Sequence, residues 1–194
     1  MHQIYHTHGL ILSSRNTGEA NKMLTIYTRE MGLVRAAVQG IRLHKSKLRF
    51  SLQDFSYANI DLVRGRDIWR VTSAANISSF PYARSSRPSL LLIARISALI
   101  ERLCDGEESN ENIFDDFIQC LYLLDDTNIS VSSREALELH LVLRIMNILG
   151  YIGESEMLLQ YISSPFDESK IEGLLKERQS IITHINRALN ESHL

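Results

Sequence analysis

Cysteine is nearly absent from this chain: Cys104 and Cys120 are its only two in 194 residues. They lie sixteen residues apart in segments that both read as helix. That fits neither a metal-ligand spacing nor a disulfide framework, and both read as plain buried thiols. Proline is almost as scarce, at three residues, and with 44% hydrophobic and 23% charged residues the composition excludes a disordered chain. Long uncharged apolar runs are also missing. The greasiest stretch, LLLIARISALI, is short and carries Arg95, so no membrane helix is expected. The opening residues MHQIYHTHG lack the cationic region, apolar core and cleavage site of a secretion signal, so a cytoplasmic location is expected.

Motifs for chemistry are missing as well. There is no Walker-type phosphate loop, dinucleotide glycine pattern, zincin motif or nucleophile elbow. His2, His6 and His8 share a strand face by alternation, and such a trio can bind metal; with no acid or cysteine nearby in sequence they read as a solvated cluster. His140, inside an apolar helical pattern, reads as a core histidine with one hydrogen bond. The pairs Glu107 with Glu108 and Asp125 with Asp126 are helix-end charge runs. No enzyme, metal, cofactor or small-molecule substrate is expected.

Charge and periodicity are what the chain does have, and both change near Phe80. Residues 1–80 hold 11 Lys and Arg against 5 Asp and Glu, whereas the remainder holds 10 against 18. A basic half beside an acidic half suggests a polyanion-binding face on one module, or two modules that attract each other. The basic half alternates in five short β-type runs: IYHTHGLILSS, KMLTIYTRE, LVRAAVQGIRL, FSYANIDLVRG and DIWRVTSAANI. Turn signals separate them. Five strands in about eighty residues is the size of a small closed barrel such as an OB-fold. In the fourth run Tyr57, Asn59 and Asp61 oppose Ala58, Ile60 and Leu62, one face wet and the other packed. The link RGR reads as a tight hairpin with Gly65 at its tip, bringing Arg64 and Arg66 together.

The acidic half turns helical. RPSLLLIARISALIERLCDG opens with Pro88 in its first turn and stops at Gly106. In NENIFDDFIQCLYLLDD, Ile113, Phe114, Phe117, Ile118, Leu121 and Leu124 share one face. SSREALELHLVLRIMNILG opens with a capping box, Ser132 with Glu135, and ends at Gly150. A more polar tail suits a helix or helix pair. The expected architecture is therefore α+β and multidomain: a five-stranded OB-fold barrel over residues 1–80, then an all-α bundle of four to six helices over 81–194, with SFPYARSSRP as the joint.

The cations Arg15, Lys22, Arg35, Arg42, Lys45, Lys47, Arg49, Arg64, Arg66 and Arg70 all fall in the β half, mostly at strand ends and turns. Within QGIRLHKSKLRF, residues 39–50, there are four of them and no acid. Their mutual repulsion is a cost that a phosphate backbone relieves. Barrel rims of this kind receive oligonucleotides, with cations along phosphates and rings stacked on bases. Tyr57 and Trp69 are the candidate rings, each equally readable as core. DNA, RNA and an acidic protein partner all remain compatible with these features.

GLILSSRNTGEANKMLTIYTREMGLVRAAVQGIRLHKSKL, followed by LQDFSYANIDLVRGRDIWRVTSA, resembles the amino-terminal domain of the RecO family of bacterial repair and recombination mediators. GEANK, TREMG and QGIRLHKSKL are the most specific parts, and LELHLVLRIMNILGYI extends the resemblance to about Ile152. The resemblance implies an OB-fold joined to a helical domain. It further implies binding and annealing of single-stranded DNA, displacement of single-strand-binding protein with loading of the strand-exchange recombinase, and partnership with a RecR-type mediator. The expected DNA-binding set is Arg15, Lys22, Arg35, Arg42, Lys45, Lys47, Arg49, Arg64 and Arg66. Two features depart from the family pattern. No cysteine follows Gly150, where many members carry a four-cysteine zinc module. Gln39 and Leu43 stand where the family's loop commonly has cations, which shifts weight onto Lys47 and Arg49.

Overall fold

The computed structural model describes residues 3–104, 106–152, 156–163 and 165–191. Five strands, β1 (Ile4–Thr17), β2 (Asn21–Thr28), β3 (Gly32–Val38), β4 (Tyr57–Arg64) and β5 (Trp69–Ser78), close into one barrel in the order β1-β2-β3-β5-β4. All pairings are antiparallel except β3 with β5, a short parallel contact at Ala36 with Trp69 and Ala37 with Arg70. β1 serves both neighbours: residues 4–10 pair with β4, and residues 9–17 with β2 across an irregularity between Ile11 and Ser13. A short helix, α1 (Leu48–Ser51), lies between β3 and β4.

Period-two alternation builds the interior. Ile11, Leu24, Ile26, Val34, Ala36, Val38, Ala58, Ile60, Leu62, Trp69 and Val71 point inward, and Ile41 and Leu52 add loop and helix contributions. Gly9 is required by close approach, since a Cβ there would stand 2.7 Å from Ile26 Cγ2 and 2.8 Å from Ile60 Cδ1. The third strand stops at Val38, well short of Leu43, because Gly40 takes a φ of +64°. The β4–β5 connection is also longer than the tight hairpin expected. Residues 65–68 form the loop, closed by the Gly65 N–H donating to the Ile68 carbonyl at 3.0 Å.

The chain divides into two compact units. The first is Met1–Pro81 together with Ser97–Phe114, and the second is Tyr82–Ile96 with Asp115–Leu194. Both divisions beyond residue 81 fall inside helices, α3 (Arg87–Leu103) and α4 (Glu111–Leu124). In the first unit, the segment after α3 packs on the β2–β3 turn. The Leu33 N–H donates to the Gly106 carbonyl, and Arg29 pairs with Glu111 at 2.8 Å.

Beyond the barrel the described residues hold seven α-helices, more than the four to six expected: α2 (Pro81–Ser85), α3, α4, α5 (Val131–Ile148), α6 (Glu156–Ile162), α7 (Ile171–Lys176) and α8 (Arg178–Glu191). The surplus comes from α2, formed inside the expected joint, and from the tail, which breaks at Glu177. In the second unit α6, α7 and α8 pack on α5. The cap of α5 is Ser130, whose Oγ accepts from the Ser133 N–H at 2.9 Å, rather than Ser132. Three serines in four residues left the period unable to choose the start. Arg144 reaches Asp116 at 2.6 Å, both side chains largely buried, and also donates to the Ile162 carbonyl. His140 is core as expected, 2% exposed, but both ring nitrogens lack a hydrogen-bond partner. Phe166 meets it edge-on at 5.5 Å instead.

Candidate nucleic-acid interface

Alternation that sends Leu24 and Ala36 inward turns Met23, Thr25, Arg35 and Ala37 outward on β2 and β3. Strand register then sets arginines on both sides. Arg15 faces Met23, Met23 faces Ala37, and Ala37 bridges to Arg70, one row across four strands. In the next row Ser13 faces Thr25, which faces Arg35. Arg15, Arg35 and Arg70 are all exposed, and none has a hydrogen-bond or ion-pair partner among the described residues.

Two depressions share Arg35. A smaller one of about 240 Å³ is lined by Ser13, Ser14, Arg15, Met23, Thr25 and Arg35. A larger cleft of about 480 Å³ runs from Arg35 to the β4–β5 loop with Arg64 and Arg66, and its far wall carries Glu101 and Glu107. The expected set is thus partly assembled: Arg15 and Arg35 lie on one sheet face, and Arg64 and Arg66 lie in the adjoining cleft. Lys22 joins the edge of the first depression by donating to Ser14 Oγ at 3.0 Å.

The loop after β3 is held in place by its backbone. Ile41 is buried, the Gly40 N–H donates to Asn21 Oδ1, and the Arg42 N–H donates to the Ala20 carbonyl. The Arg42 guanidinium is thereby tied to the β1–β2 turn, where it donates to the Gly18 carbonyl at 3.1 Å. Lys45, Lys47 and Arg49 are exposed beyond it and line neither depression.

One expected cation has an acid beside it. Arg64 stands 3.5 Å from Glu107 and 5.3 Å from the centroid of the Trp69 ring. The same glutamate accepts from Trp69 Nε1 at 2.8 Å. Trp69 is therefore core: 6% exposed, and packed edge-on against Tyr5 at 5.1 Å. Tyr57 is half-buried between His8 and Phe114, each at 6.0 Å. Neither candidate ring is free to stack on a base. Phe50, whose ring the sequence pattern does not mark, is open instead. It is 63% exposed in α1, directly after Arg49. Arg70 lies outside the expected DNA-binding set, and the signal for it is its place opposite Trp69 and Val71 in the alternation of β5.

Of the histidine trio, the structure describes His6 and His8. His2 lies outside the described residues. His6 Nδ1 is 2.6 Å from Asp61, and His8 lies 3.7 Å from Glu30, so the acids missing from the local sequence come from β4 and the β2–β3 turn. No group of three or more His, Cys, Asp or Glu among the described residues is arranged to hold a metal ion. Cys120 is buried, whereas Cys104 is only half-buried and lines the larger cleft. Burial pushes its thiol up, as it does the phenol of Tyr27 beside it. Among the described residues no helix is long and apolar enough to cross a membrane.

The family described as "Recombination protein O N terminal" matches residues 1–80, and "Recombination protein O C terminal" matches residues 84–154. The chain is similar to proteins named DNA repair protein RecO. That of Pelotomaculum thermopropionicum is 30% identical over 149 residues, 77% of this chain and 56% of the relative. That of Alkaliphilus metalliredigens is 28% identical over 159 residues, 81% of this chain and 61% of the relative. That of Acetivibrio thermocellus is 26% identical over 163 residues, 83% and 63% respectively. The chain thus spans little more than half the length of these relatives.

Proposed function

This chain belongs to the recombination protein O (RecO) family, and from that premise we propose that it is a non-catalytic mediator of DNA repair whose barrel unit binds and anneals single-stranded DNA. The observation that carries the reading is the set of arginines in two adjacent rows on the outer face of β1, β2, β3 and β5. Arg15, Arg35 and Arg70 stand there exposed, with no partner among the described residues, over a floor of Ser13, Thr25, Met23 and Ala37.

On this reading phosphates run along Arg15, Arg35 and Arg70, then pass Arg64 and Arg66, while Lys22, Arg42, Lys45, Lys47 and Arg49 extend the positive field. Annealing follows from electrostatics. Two strands coated with cationic protein repel each other less, and contacts made mainly to the backbone leave bases free to pair. The remaining family-level steps are part of the same proposal: displacement of single-strand-binding protein, loading of the strand-exchange recombinase, and docking of a RecR-type partner.

Fluorescence polarisation with labelled oligothymidylate and oligoadenylate tests the face directly. Arg15→Ala with Arg35→Ala should weaken both oligonucleotides alike. The log affinity against log salt line should become shallower by about 1.4, at about 0.7 per phosphate contact. Unchanged affinity in the double variant would remove the outer face from the site. A marked preference for the RNA strand of the same sequence would replace DNA with RNA as the ligand.

A further inference from the structure

We propose that Phe50 is a base-stacking residue, the point at which the cationic loop grips an unpaired nucleobase rather than only its phosphate. The inference rests on the single-strand reading above and adds to it a residue outside the arginine face. Among the described residues of the first unit, Phe50 is the single exposed Phe, Tyr or Trp, at 63%. Tyr27, Trp69, Phe80 and Phe114 are buried, and Tyr5, Phe55 and Tyr57 are half-buried.

Local geometry explains why the ring is outside. In α1 and its cap, Leu48 and Leu52 are four residues apart and fall on one face. Leu52 is 1% exposed and Leu48 packs against the barrel core. Phe50, halfway between them, is turned to the other face. The barrel therefore does not use its ring. The platform is nevertheless fixed, because the Ser56 hydroxyl lies within donating distance of the Gln53 carbonyl at 2.6 Å and the Ser51 carbonyl at 3.0 Å, and α1 packs against β5.

The surroundings identify the occupant. Residues 39–50 carry Arg42, Lys45, Lys47 and Arg49 and no Asp or Glu, so the partner is an anion. The Arg49 guanidinium carbon lies 5.0 Å from the Phe50 ring centroid. A planar cation over an aromatic ring, beside further cations, suits a ligand that pairs flat π-faces with regularly spaced negative charge. An unpaired polynucleotide has both.

The test compares oligothymidylate with an abasic strand of the same length and charge. Phe50→Ala should lower affinity for oligothymidylate about tenfold, the loss expected of one base–aromatic stack. The abasic strand should be bound as before, and Phe50→Trp should restore oligothymidylate binding. An equal loss on both strands, or no loss on either, would overturn the inference without counting against the arginine face as the phosphate site. If Phe50→Ala instead abolished binding to phosphatidylglycerol vesicles and left DNA unaffected, the ring would belong to a lipid surface and the inference would fall. Wild-type protein that bound neither strand would sink the single-strand reading itself.

Discussion

His140 is the residue where the interior is least comfortable. Burial, with the nearby cations Lys170 and Arg144, pushes its pKa down to about 3. Neither ring nitrogen has a partner to offset the loss of water. Because the folded value lies below the ordinary 6.5, the unfolded chain takes up a proton first as pH falls. Stability linked to His140 is therefore complete above about pH 6.5 and drains away towards pH 3. Urea melts at pH 7 and pH 5 should differ by up to about 2 kcal/mol more in the wild type than in His140→Leu. Equal pH dependence in the two proteins would show that another group sets it. The core position of His140 was legible from its apolar helical neighbours. The missing hydrogen bond was not, since it depends on Phe166, distant in sequence, occupying the space beside the ring. Trp69 teaches the same lesson: a strand pattern gives its facing, but only Tyr5 and Glu107 decide that the ring is closed to ligands.

Among the elements, the segment after α3 reaches the candidate site directly. It lies on the β2–β3 turn so closely that a Cβ on Gly32 would stand 2.5 Å from the Glu108 carbonyl oxygen, at a residue whose φ is +65°. Gly32→Ala should therefore cost more than the roughly 1–2 kcal/mol of the left-handed backbone alone, read as a lowered urea midpoint. The same segment sends Glu107 to Arg64 and Trp69. Glu107→Gln keeps an acceptor for the indole but frees the guanidinium, and should tighten oligothymidylate binding about two- to fivefold at low salt, as loss of an exposed ion pair allows. Unchanged or weaker binding would place Arg64 outside the DNA path. Strand content was readable because alternation and turn residues are local. The ends of β3 and of the β4–β5 loop were not, because Gly40 bends the chain into a buried anchor at Ile41 and the loop closes through Ile68.

At the scale of the molecule, the sharp division of charge along the sequence is softened by folding. The first unit takes in Ser97–Phe114, which adds Glu101, Asp105, Glu107, Glu108 and Glu111 against Arg102 alone. The excess of six positive charges in residues 1–80 becomes an excess of two in the unit. Glu111 and Glu107 are held at Arg29 and Arg64, while the outer face around Arg15, Arg35 and Arg70 has no acidic partner among the described residues. If about four to six phosphates are neutralised there and along the loop, log affinity for single strands should fall against log salt with a slope of about -3 to -4. A flat salt response would rule out phosphate contacts as the source of binding. Strand annealing at graded salt should decline over the same range. Alternation, helical period and charge are properties of neighbouring residues, and for that reason the barrel, the helical half and the supply of cations were legible before folding was considered. The folded chain was needed to show which cations stand together without acids, that Trp69 and Tyr57 are packed while Phe50 is open, and that an acidic segment from beyond residue 81 joins the barrel. Those outcomes depend on register and on contacts between residues far apart in the chain, and no local pattern encodes them.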